Sequence, residues 1–288
     1  MRLTLHCYST ALYSTWVFVD ELRLLFDAGD GVAANLLGRA GKLRHVFLSH
    51  ADRDHMMGLF QLVQLNPLGD RLVIHYPADC GSFPAMADFA ARFDPHIKPP
   101  SWHPIRRGDE VSLGGNMLVR AVHNRHVAAP DNVTKSLSYF VVERKQVLRP
   151  DFVGLPQSEI KRMVGSLGRE AITEVKERRL LAYSADTPVL APDFWSGVNV
   201  LLHESTFLYQ ADSERMLAKS THPHSHLGDV LAMTKLAQPK HLILIHFSTR
   251  YAAEQIVAEV KRLMSELELS FPVDLVLPGT VHRFELEI

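Results

Sequence analysis

Four side chains that commonly bind metal ions lie within six residues of one another, directly after a short apolar run. His50, Asp52, Asp54 and His55 follow residues 46–48, a Val-Phe-Leu run that is typical of a buried strand. Burying two carboxylates and two imidazoles together is unfavourable unless a cation compensates for their lost hydration. A divalent metal is the simplest such cation, so this segment predicts a metal site at a strand end. The competing interpretation is a polar surface loop, in which Asp and His are individually ordinary.

Other strand-like runs in the chain also end close to a histidine or an aspartate. The apolar runs at residues 117–122, 180–183 and 242–245 are followed by His123 and His126, by Asp186 and by His246. Because strand ends in an open sheet tend to meet at one edge, we expect these segments to deliver ligands to a common site. A lone histidine in such a position is more often a hydrogen-bonded structural residue. The local cluster is what favours the metal interpretation.

Strand-like and helix-like segments alternate along the chain, which predicts a layered α/β domain. Helical patterns cover residues 32–39, 83–93, 227–236 and 252–263, and the polar segment 149–177 contains one more near 159–164. No linker, low-complexity region or strong repeat divides the sequence, so we expect a single domain over residues 1–288. Periodicity alone leaves the type of layered fold open.

Composition narrows the classes of function. The formal net charge is −1 over 288 residues, so no global basic field indicates a nucleic-acid partner, although a local patch is compatible with that value. Two cysteines, Cys7 and Cys80, are too few for a disulfide framework. The sequence has neither a signal-peptide pattern nor an apolar run as long as a membrane span. These features predict a cytoplasmic enzyme without a membrane partner.

In motif content and order, the chain resembles the metallo-β-lactamase superfamily and, within it, the ribonuclease Z group. Residues 50–55 resemble the His-x-His-x-Asp-His signature, with Asp52 at the second His position. The other motifs that carry the resemblance are the Asp-x-Gly-x-Gly turn at residues 27–31, residues 183–187 around Asp186, the Leu-His-Glu-Ser-Thr-Phe run at 202–207, His224-Ser225, and residues 245–251 with their Ser-x-Arg-Tyr tail. The resemblance implies an αββα sandwich of two mixed β-sheets with external helices.

The resemblance also implies a role for each residue. His50, Asp52 and His126 are expected to hold one metal, and Asp54, His55 and His246 a second, with Asp186 bridging both. A water activated between the two ions is then the expected nucleophile. Glu204 and His224 resemble the catalytic pair of the group, in which the carboxylate orients the imidazole so that it can protonate the leaving alkoxide. Asp54 is also expected to orient the attacking water.

Several histidines compete for these roles. His126 fits the strand-to-loop ligand of the group better than His123, which is then structural or supports the ligands. His222 and His226 flank His224, and the 22-residue spacing to His246 favours His224. His203 is expected to be structural or to support the ligands, and not to be a ligand itself.

Three departures from the group limit what the resemblance implies. Asp52 supplies a hard oxygen ligand, which favours manganese, iron or magnesium relative to zinc, or leaves a site for a single metal. Phe60 follows Gly58-Leu59 where the group has Pro. The long arm that grips tRNA in the group should lie between Glu143 and Leu180, and a shortened version is expected around residues 154–156.

Three functions therefore remain open. The first is a ribonuclease Z-like phosphodiesterase with two divalent metal ions, acting on a phosphodiester such as RNA, with tRNA 3′ processing as one candidate and a homodimer as the expected assembly. The second is a small-molecule hydrolase acting on a cyclic phosphodiester, a lactone or a thioester. The third is a degenerate protein that binds without turnover, for which Asp52 is the supporting feature.

Overall fold

The computed structural model describes residues 1–66, 71–93, 95–218 and 223–288. Within these ranges fourteen strands form two sheets of seven. The first sheet contains β1 (Arg2–Thr10), β2 (Ser14–Val19), β3 (Leu24–Phe26), β4 (His45–Phe47), β5 (Val73–Pro77) and β6 (Ser101–Ile105). The second contains β7 (Glu110–Gly114), β8 (Met117–His123), β9 (Leu137–Leu148), β10 (Thr173–Tyr183), β11 (Val198–Glu204), β12 (His241–Ile245) and β13 (Val273–Leu275). The last strand, β14 (His282–Glu287), pairs with β1 and completes the first sheet.

The helices lie between these strands in the chain. They are α1 (Val32–Leu36), α2 (Arg53–Met56), α3 (Leu59–Gln64), α4 (Ser82–Phe93), α5 (Gln157–Leu167), α6 (Arg169–Ile172), α7 (Pro192–Trp195), α8 (Gln210–Leu217), α9 (Leu227–Ala237) and α10 (Ala253–Glu266). Two 3₁₀ helices span Leu37–Lys42 and Pro150–Phe152.

Both sheets are mixed, and apolar residues separate the layers. In each sheet, three parallel pairings adjoin three antiparallel ones. One core lies between the sheets and includes Phe26, Phe47 and Tyr139. A second joins α9 and α10 to the outer face of the second sheet, and a third joins α1 and α3 to that of the first. This arrangement confirms the predicted αββα sandwich.

The strand directions place the candidate ligands at one edge. β8 and β10 both run antiparallel to β9, so they run parallel to each other, and β11 and β12 continue in the same direction. Their carboxyl ends therefore lie at the same edge of the second sheet. The parallel strands β3 and β4 end in the turn at Asp27 and the loop at His50.

Several elements differ from the sequence prediction. The strand β6 contains Pro104 and occupies a sheet edge, where proline is tolerated. The sequence did not predict this strand, because most of its residues are exposed. The exposed strand β7 and the helix α8 were also not predicted. The helix expected at residues 32–39 is α-helical only to Leu36 and continues as a 3₁₀ helix.

The strands β9 and β10 extend well beyond the core as a hairpin. They pair from Tyr139–Tyr183 at the core end to Leu148–Thr173 at the far end, and α5 and α6 connect them. We call residues 144–178 the arm. The sequence predicted a polar segment here with one helix near 159–164, and that helix corresponds to α5. Among the described residues, no helix has the length and apolar character needed to cross a lipid bilayer.

Candidate metal centre

The segment after β4 delivers two buried imidazoles. His50 and His55 are fully buried, and α2 begins at Arg53 and turns His55 back towards His50, with 4.3 Å between their ring centroids. Each ring donates from Nδ1 to an oxygen behind it: His50 to Ser49 Oγ at 2.8 Å, and His55 to Asp27 Oδ2 at 2.7 Å. Both Nε2 atoms consequently face into the site.

Asp27 organises this segment, and sequence reasoning assigned it no role beyond a turn motif. It is fully buried and adopts a left-handed backbone with φ of 54°. Besides His55, its carboxylate accepts hydrogen bonds from the Ser49 backbone N–H and hydroxyl, both at 2.7 Å, and from the Tyr183 hydroxyl at 2.6 Å. A carboxylate with four donors is a strong anchor. The signal that could have identified it is an aspartate directly after the apolar strand β3.

The Asp-x-Gly turn requires glycine for a packing reason. A Cβ at Gly29 would lie 2.3 Å from the backbone oxygen of Asp54 and 2.5 Å from the backbone nitrogen of Thr15. The turn therefore passes directly against the ligand loop, and any larger residue would displace Asp54.

The loops after strands of the second sheet supply three further candidate ligands. His126 lies in the loop after β8, Asp186 after β10 and His246 after β12, and all three are buried. His126 Nδ1 donates to the backbone oxygen of Pro223 at 3.1 Å, and His246 Nδ1 donates to Thr206 Oγ1 at 2.9 Å. As in the segment after β4, the Nδ1 atoms are occupied and the Nε2 atoms face the centre.

Asp186 lies in the middle of the constellation. Its Oδ2 is 3.7 Å from His50 Nε2 and 3.3 Å from His55 Nε2, and its Oδ1 is 3.3 Å from His246 Nε2. Asp54 Oδ2 lies 3.6 Å from His55 Nε2 and 3.5 Å from His246 Nε2. The carboxylate of Asp186 therefore lies close to imidazoles that come from both halves of the chain.

Asp52 lies beside His50 and His126. Its Oδ2 lies 3.5 Å from His50 Nε2 and 3.7 Å from His126 Nε2. The side chain is 45% exposed, so it lies at the solvent side of the constellation. The hydrogen-bonding imidazoles of His126 and His50 hold its pKa well below the usual range.

These donors fit divalent cations. The groups His50–Asp52–His126 and Asp54–His55–His246 each place one donor atom per residue within 4.8 Å of the others, and Asp186 groups with His50 and His55. The buried Nε2 atoms of His50 and His55 have no hydrogen-bond partner among the described residues. An imidazole that donates from Nδ1 to a protein oxygen and leaves Nε2 open is the usual arrangement of a metal ligand.

The electrostatics of the centre also favour bound cations. Burial lowers the pKa of His55, but the negative charges of Asp186 and Asp27 outweigh burial and raise it well above its usual value. The carboxylates of Asp186 and Asp27 therefore place an excess of negative charge around the buried ring of His55. A divalent ion held by Nε2 would balance this excess of negative charge.

The structure separates the competing histidines. The ring of His126 is 4.6 Å from that of His50, whereas His123 lines a neighbouring cavity with Arg107 and Arg125. His226 precedes α9 and lies 3.3 Å from Asp229, outside the constellation. His203 is buried against Trp195 and donates to the backbone oxygen of Glu204. His222 lies outside the described residues.

Glu204 and His224, the pair that was predicted to be catalytic, lie beside the candidate metal ligands. His224 Nδ1 is 3.1 Å from Glu204 Oε1, and the ring stacks on His246 with 5.5 Å between centroids. Burial lowers the pKa of His224, but the charge and hydrogen bond of Glu204, with Asp186, raise it to about 9. The fully buried Glu204 also accepts from the backbone N–H of Thr187 at 2.9 Å.

Thr206 joins this pair to the metal ligands, and sequence reasoning missed it. Its hydroxyl donates to Glu204 Oε2 at 2.6 Å and accepts from His246 Nδ1 at 2.9 Å. One hydroxyl therefore orients a carboxylate and an imidazole at once. The only sequence signal is its place two residues after Glu204.

A surface hairpin closes one side of the centre. The backbone N–H of Leu12, in the turn between β1 and β2, donates to Asp54 Oδ2 at 3.0 Å. Leu12 has a left-handed backbone with φ of 71°, and its side chain is 87% exposed. Tyr13 beside it is also exposed. This turn presents apolar surface directly next to a candidate ligand.

Comparison with known proteins agrees with this fold. Residues 22–167 match the family model of the β-lactamase superfamily domain, and the chain belongs to that superfamily. A ribonuclease Z of Haloferax volcanii is 26% identical over 261 residues, covering 82% of this chain and 78% of that protein. A tRNase Z of Arabidopsis thaliana is 27% identical over 267 residues, covering 89% of each. The predicted ribonuclease Z-like membership of the superfamily is confirmed.

Solved structures agree with the architecture. The metallo-β-lactamase fold protein YhfI from Bacillus subtilis superposes with a TM-score of 0.65 at 16% identity, covering 98% of this chain and 99% of that one. The short form of human tRNase Z superposes with a TM-score of 0.60 at 17% identity, covering 98% of both chains. At such identities the likeness concerns the fold.

Proposed function

We propose that this protein is a metal-dependent phosphodiesterase of the ribonuclease Z type, and that its substrate is RNA, with removal of a tRNA 3′ extension as the reaction. The observation that carries the proposal is the pair formed by the buried Glu204 and the partly buried His224 beside the candidate metal ligands. An alkoxide leaving group needs a proton from a general acid. Hydrolysis of an activated ester or lactone depends less on such a proton donor. The curated relatives named ribonuclease Z and tRNase Z support the same reaction.

The residues proposed to hold two divalent ions are His50, Asp52 and His126 for one, Asp54, His55 and His246 for the other, and Asp186 for both. Two such ions supply a nucleophile by lowering the pKa of water, and they neutralise charge on the phosphoryl oxygens. The hard, exposed carboxylate of Asp52 leads us to propose that manganese or iron competes well with zinc at the first site.

The chain's own residues position the reacting groups. Glu204 holds His224 through Nδ1, so the free Nε2 is available to give a proton to the leaving oxygen. Asp54, whose Oδ2 already accepts from Leu12, is placed to accept from the attacking water as well. The buried carboxylate of Glu204, held by Thr187 and Thr206, fixes the direction of the imidazole without moving during the reaction.

The test is cleavage of a pre-tRNA with a 3′ extension, together with hydrolysis of bis(p-nitrophenyl) phosphate and metal quantification on the same sample. We expect turnover, two metals per chain, and loss of about 100-fold or more in kcat for His224→Ala with unchanged metal content. His241→Ala is the matched control, because His241 lies at the opposite end of β12 and pairs with Asp274. An unaffected rate in His224→Ala, or turnover of lactones and thioesters but not of phosphodiesters, would overturn the proposal.

A further inference from the structure

A cavity that contains none of the metal ligands lies next to the candidate centre. Its volume is about 650 Å³, and its walls include the cations Arg107 and Arg125 together with His123, and the apolar side chains of Val189, Leu190 and Phe194. The lining residues include no aspartate or glutamate. A cavity that combines cations with an apolar wall is suited to a ligand that is itself partly anionic and partly flat and apolar.

The cavity and the centre share two loops. Arg125 directly precedes His126, and Pro188, another lining residue, follows Asp186 by two positions. Because two residues span at most roughly 7 Å of chain, the backbone of these lining residues lies within about the length of one nucleotide unit of the candidate ligands His126 and Asp186. The cavity therefore extends the site in one direction along a chain-like substrate.

The positive charge of this cavity is available for a ligand. Among the described residues, neither Arg107 nor Arg125 has an ion-pair or side-chain hydrogen-bond partner. Burial lowers the pKa of His123, and the charges of Arg107 and Arg125 lower it further, against a smaller opposing effect of Asp131. Arg107 and Arg125, which are both exposed, thus place their positive charge close to the partly buried His123 in the wall of the cavity.

The apolar wall is rigidly held. Phe194 packs against Trp195 with perpendicular rings at 4.6 Å and against Phe140 at 5.8 Å. Its backbone oxygen accepts a hydrogen bond from Arg179 at 3.2 Å. A fixed aromatic edge beside Val189 and Leu190 offers contact area to a base at little entropic cost.

We infer that this cavity binds one unpaired nucleotide adjacent to the scissile phosphodiester, with Arg107 and Arg125 on its phosphate and with Val189, Leu190 and Phe194 against its base. The inference rests on the proposed function and adds a substrate-specificity element to it. Guanidinium groups bind phosphate oxygens with charge-assisted hydrogen bonds. An unstacked base fits an apolar pocket, whereas a base inside a duplex cannot enter one. The site thereby selects a single-stranded nucleotide at this position.

The test compares Arg107→Gln and Arg125→Gln with Arg23→Gln, an exposed arginine that also lacks an ion pair among the described residues. For an RNA with an unpaired 3′ extension, each cavity variant should raise KM about tenfold, the loss that corresponds to ~1.4 kcal/mol, with kcat unchanged. The rate on bis(p-nitrophenyl) phosphate, which has no flanking nucleotide, should stay unchanged. Arg23→Gln should behave as the wild type on both substrates.

A binding measurement separates this inference from the proposed function. Fluorescence anisotropy of a labelled single-stranded RNA pentamer should show weaker binding to the cavity variants, and the slope of log K against log salt should fall by about 0.7 for each phosphate that the protein no longer neutralises. If the wild type cleaves no phosphodiester but the variants still lose RNA affinity, the proposed function fails and the cavity assignment stands. If the variants bind and cleave RNA as the wild type does, the cavity assignment is wrong and the proposed function is untouched.

Discussion

Replacing Asp27 by asparagine should destabilise the fold and empty part of the metal centre. Three donors converge on Asp27 Oδ2: Ser49 Oγ at 2.7 Å, His55 Nδ1 at 2.7 Å and Tyr183 Oη at 2.6 Å. Because the Ser49 backbone N–H, which donates to Oδ1, cannot rotate away, an asparagine keeps its oxygen there and places its amide, itself a donor, at the Oδ2 position. The two hydroxyls can rotate away, but His55 can keep a hydrogen bond only by accepting at Nδ1, which moves its proton to Nε2.

The magnitude follows from these contacts. A hydrogen bond to a charged group contributes about 1.5–3 kcal/mol, so the absence of all three sets an upper limit of roughly 4.5–9 kcal/mol. Reorientation of the hydroxyls recovers part of this, and we expect a loss of about 3–5 kcal/mol in the free energy of unfolding. That is a large share of the roughly 5–15 kcal/mol that stabilises a typical domain.

The assay is urea unfolding with a chelator present, together with metal quantification on the protein without chelator. Asp27→Asn should lose metal because a protonated Nε2 of His55 cannot act as a ligand. Asp30→Asn is the matched control, since Asp30 is in the same turn and its side chain is exposed. A stability change below about 1 kcal/mol with unchanged metal content would refute the assignment of Asp27 as the residue that sets the His55 tautomer.

Three further predictions follow from the site and the arm. Asp52→His should fold normally and shift metal preference towards zinc, measured by competition between manganese and zinc; unchanged metal content would sink the hard-ligand argument. Saturating metal at 100 times its dissociation constant should raise the free energy of unfolding by about 2.7 kcal/mol, and an unchanged Tm on chelation would contradict a folded-state site. Hydrogen bonds from Arg120 and Arg144 lower the pKa of Glu177, at the base of the arm, to about 2. A lowered folded-state pKa gives stability that is present above the unfolded value near 4.5 and is lost as pH falls towards 2. The protection factors of amide hydrogen exchange in the arm, which are corrected for the intrinsic pH dependence of exchange, should therefore fall across that range, and Glu177→Gln should flatten that decrease.

The sequence predicted those parts of the candidate site whose residues lie close to one another, or to the end of a strand, along the chain. The ligands at residues 50–55 stand side by side after one strand, and Asp186 and His246 each follow an apolar run within three residues. The alternation of strands and helices predicted a layered α/β domain. The αββα arrangement of those layers was predicted from the motifs shared with the family. Those motifs also led to Glu204 and His224, which periodicity alone would not have paired.

The parts that the sequence did not reveal depend on contacts between distant residues. Asp27 acquires its role from Ser49 and Tyr183, which lie 22 and 156 positions away. Thr206 acts on His246 across 40 positions. The edge strand β6 stayed hidden because its residues are mostly exposed and one of them is a proline, so neither alternation nor apolar character marks it.

The contact between Leu12 and Asp54 gives the molecule a built-in reporter. The carboxylate oxygen that accepts from the Leu12 N–H is the same Oδ2 that faces His55 and His246, so a cation there withdraws charge from the hydrogen bond that anchors the β1–β2 turn. The NMR resonance of the Leu12 backbone amide should then shift as the centre fills. Loading of the buried site could in this way be read at the surface of the protein.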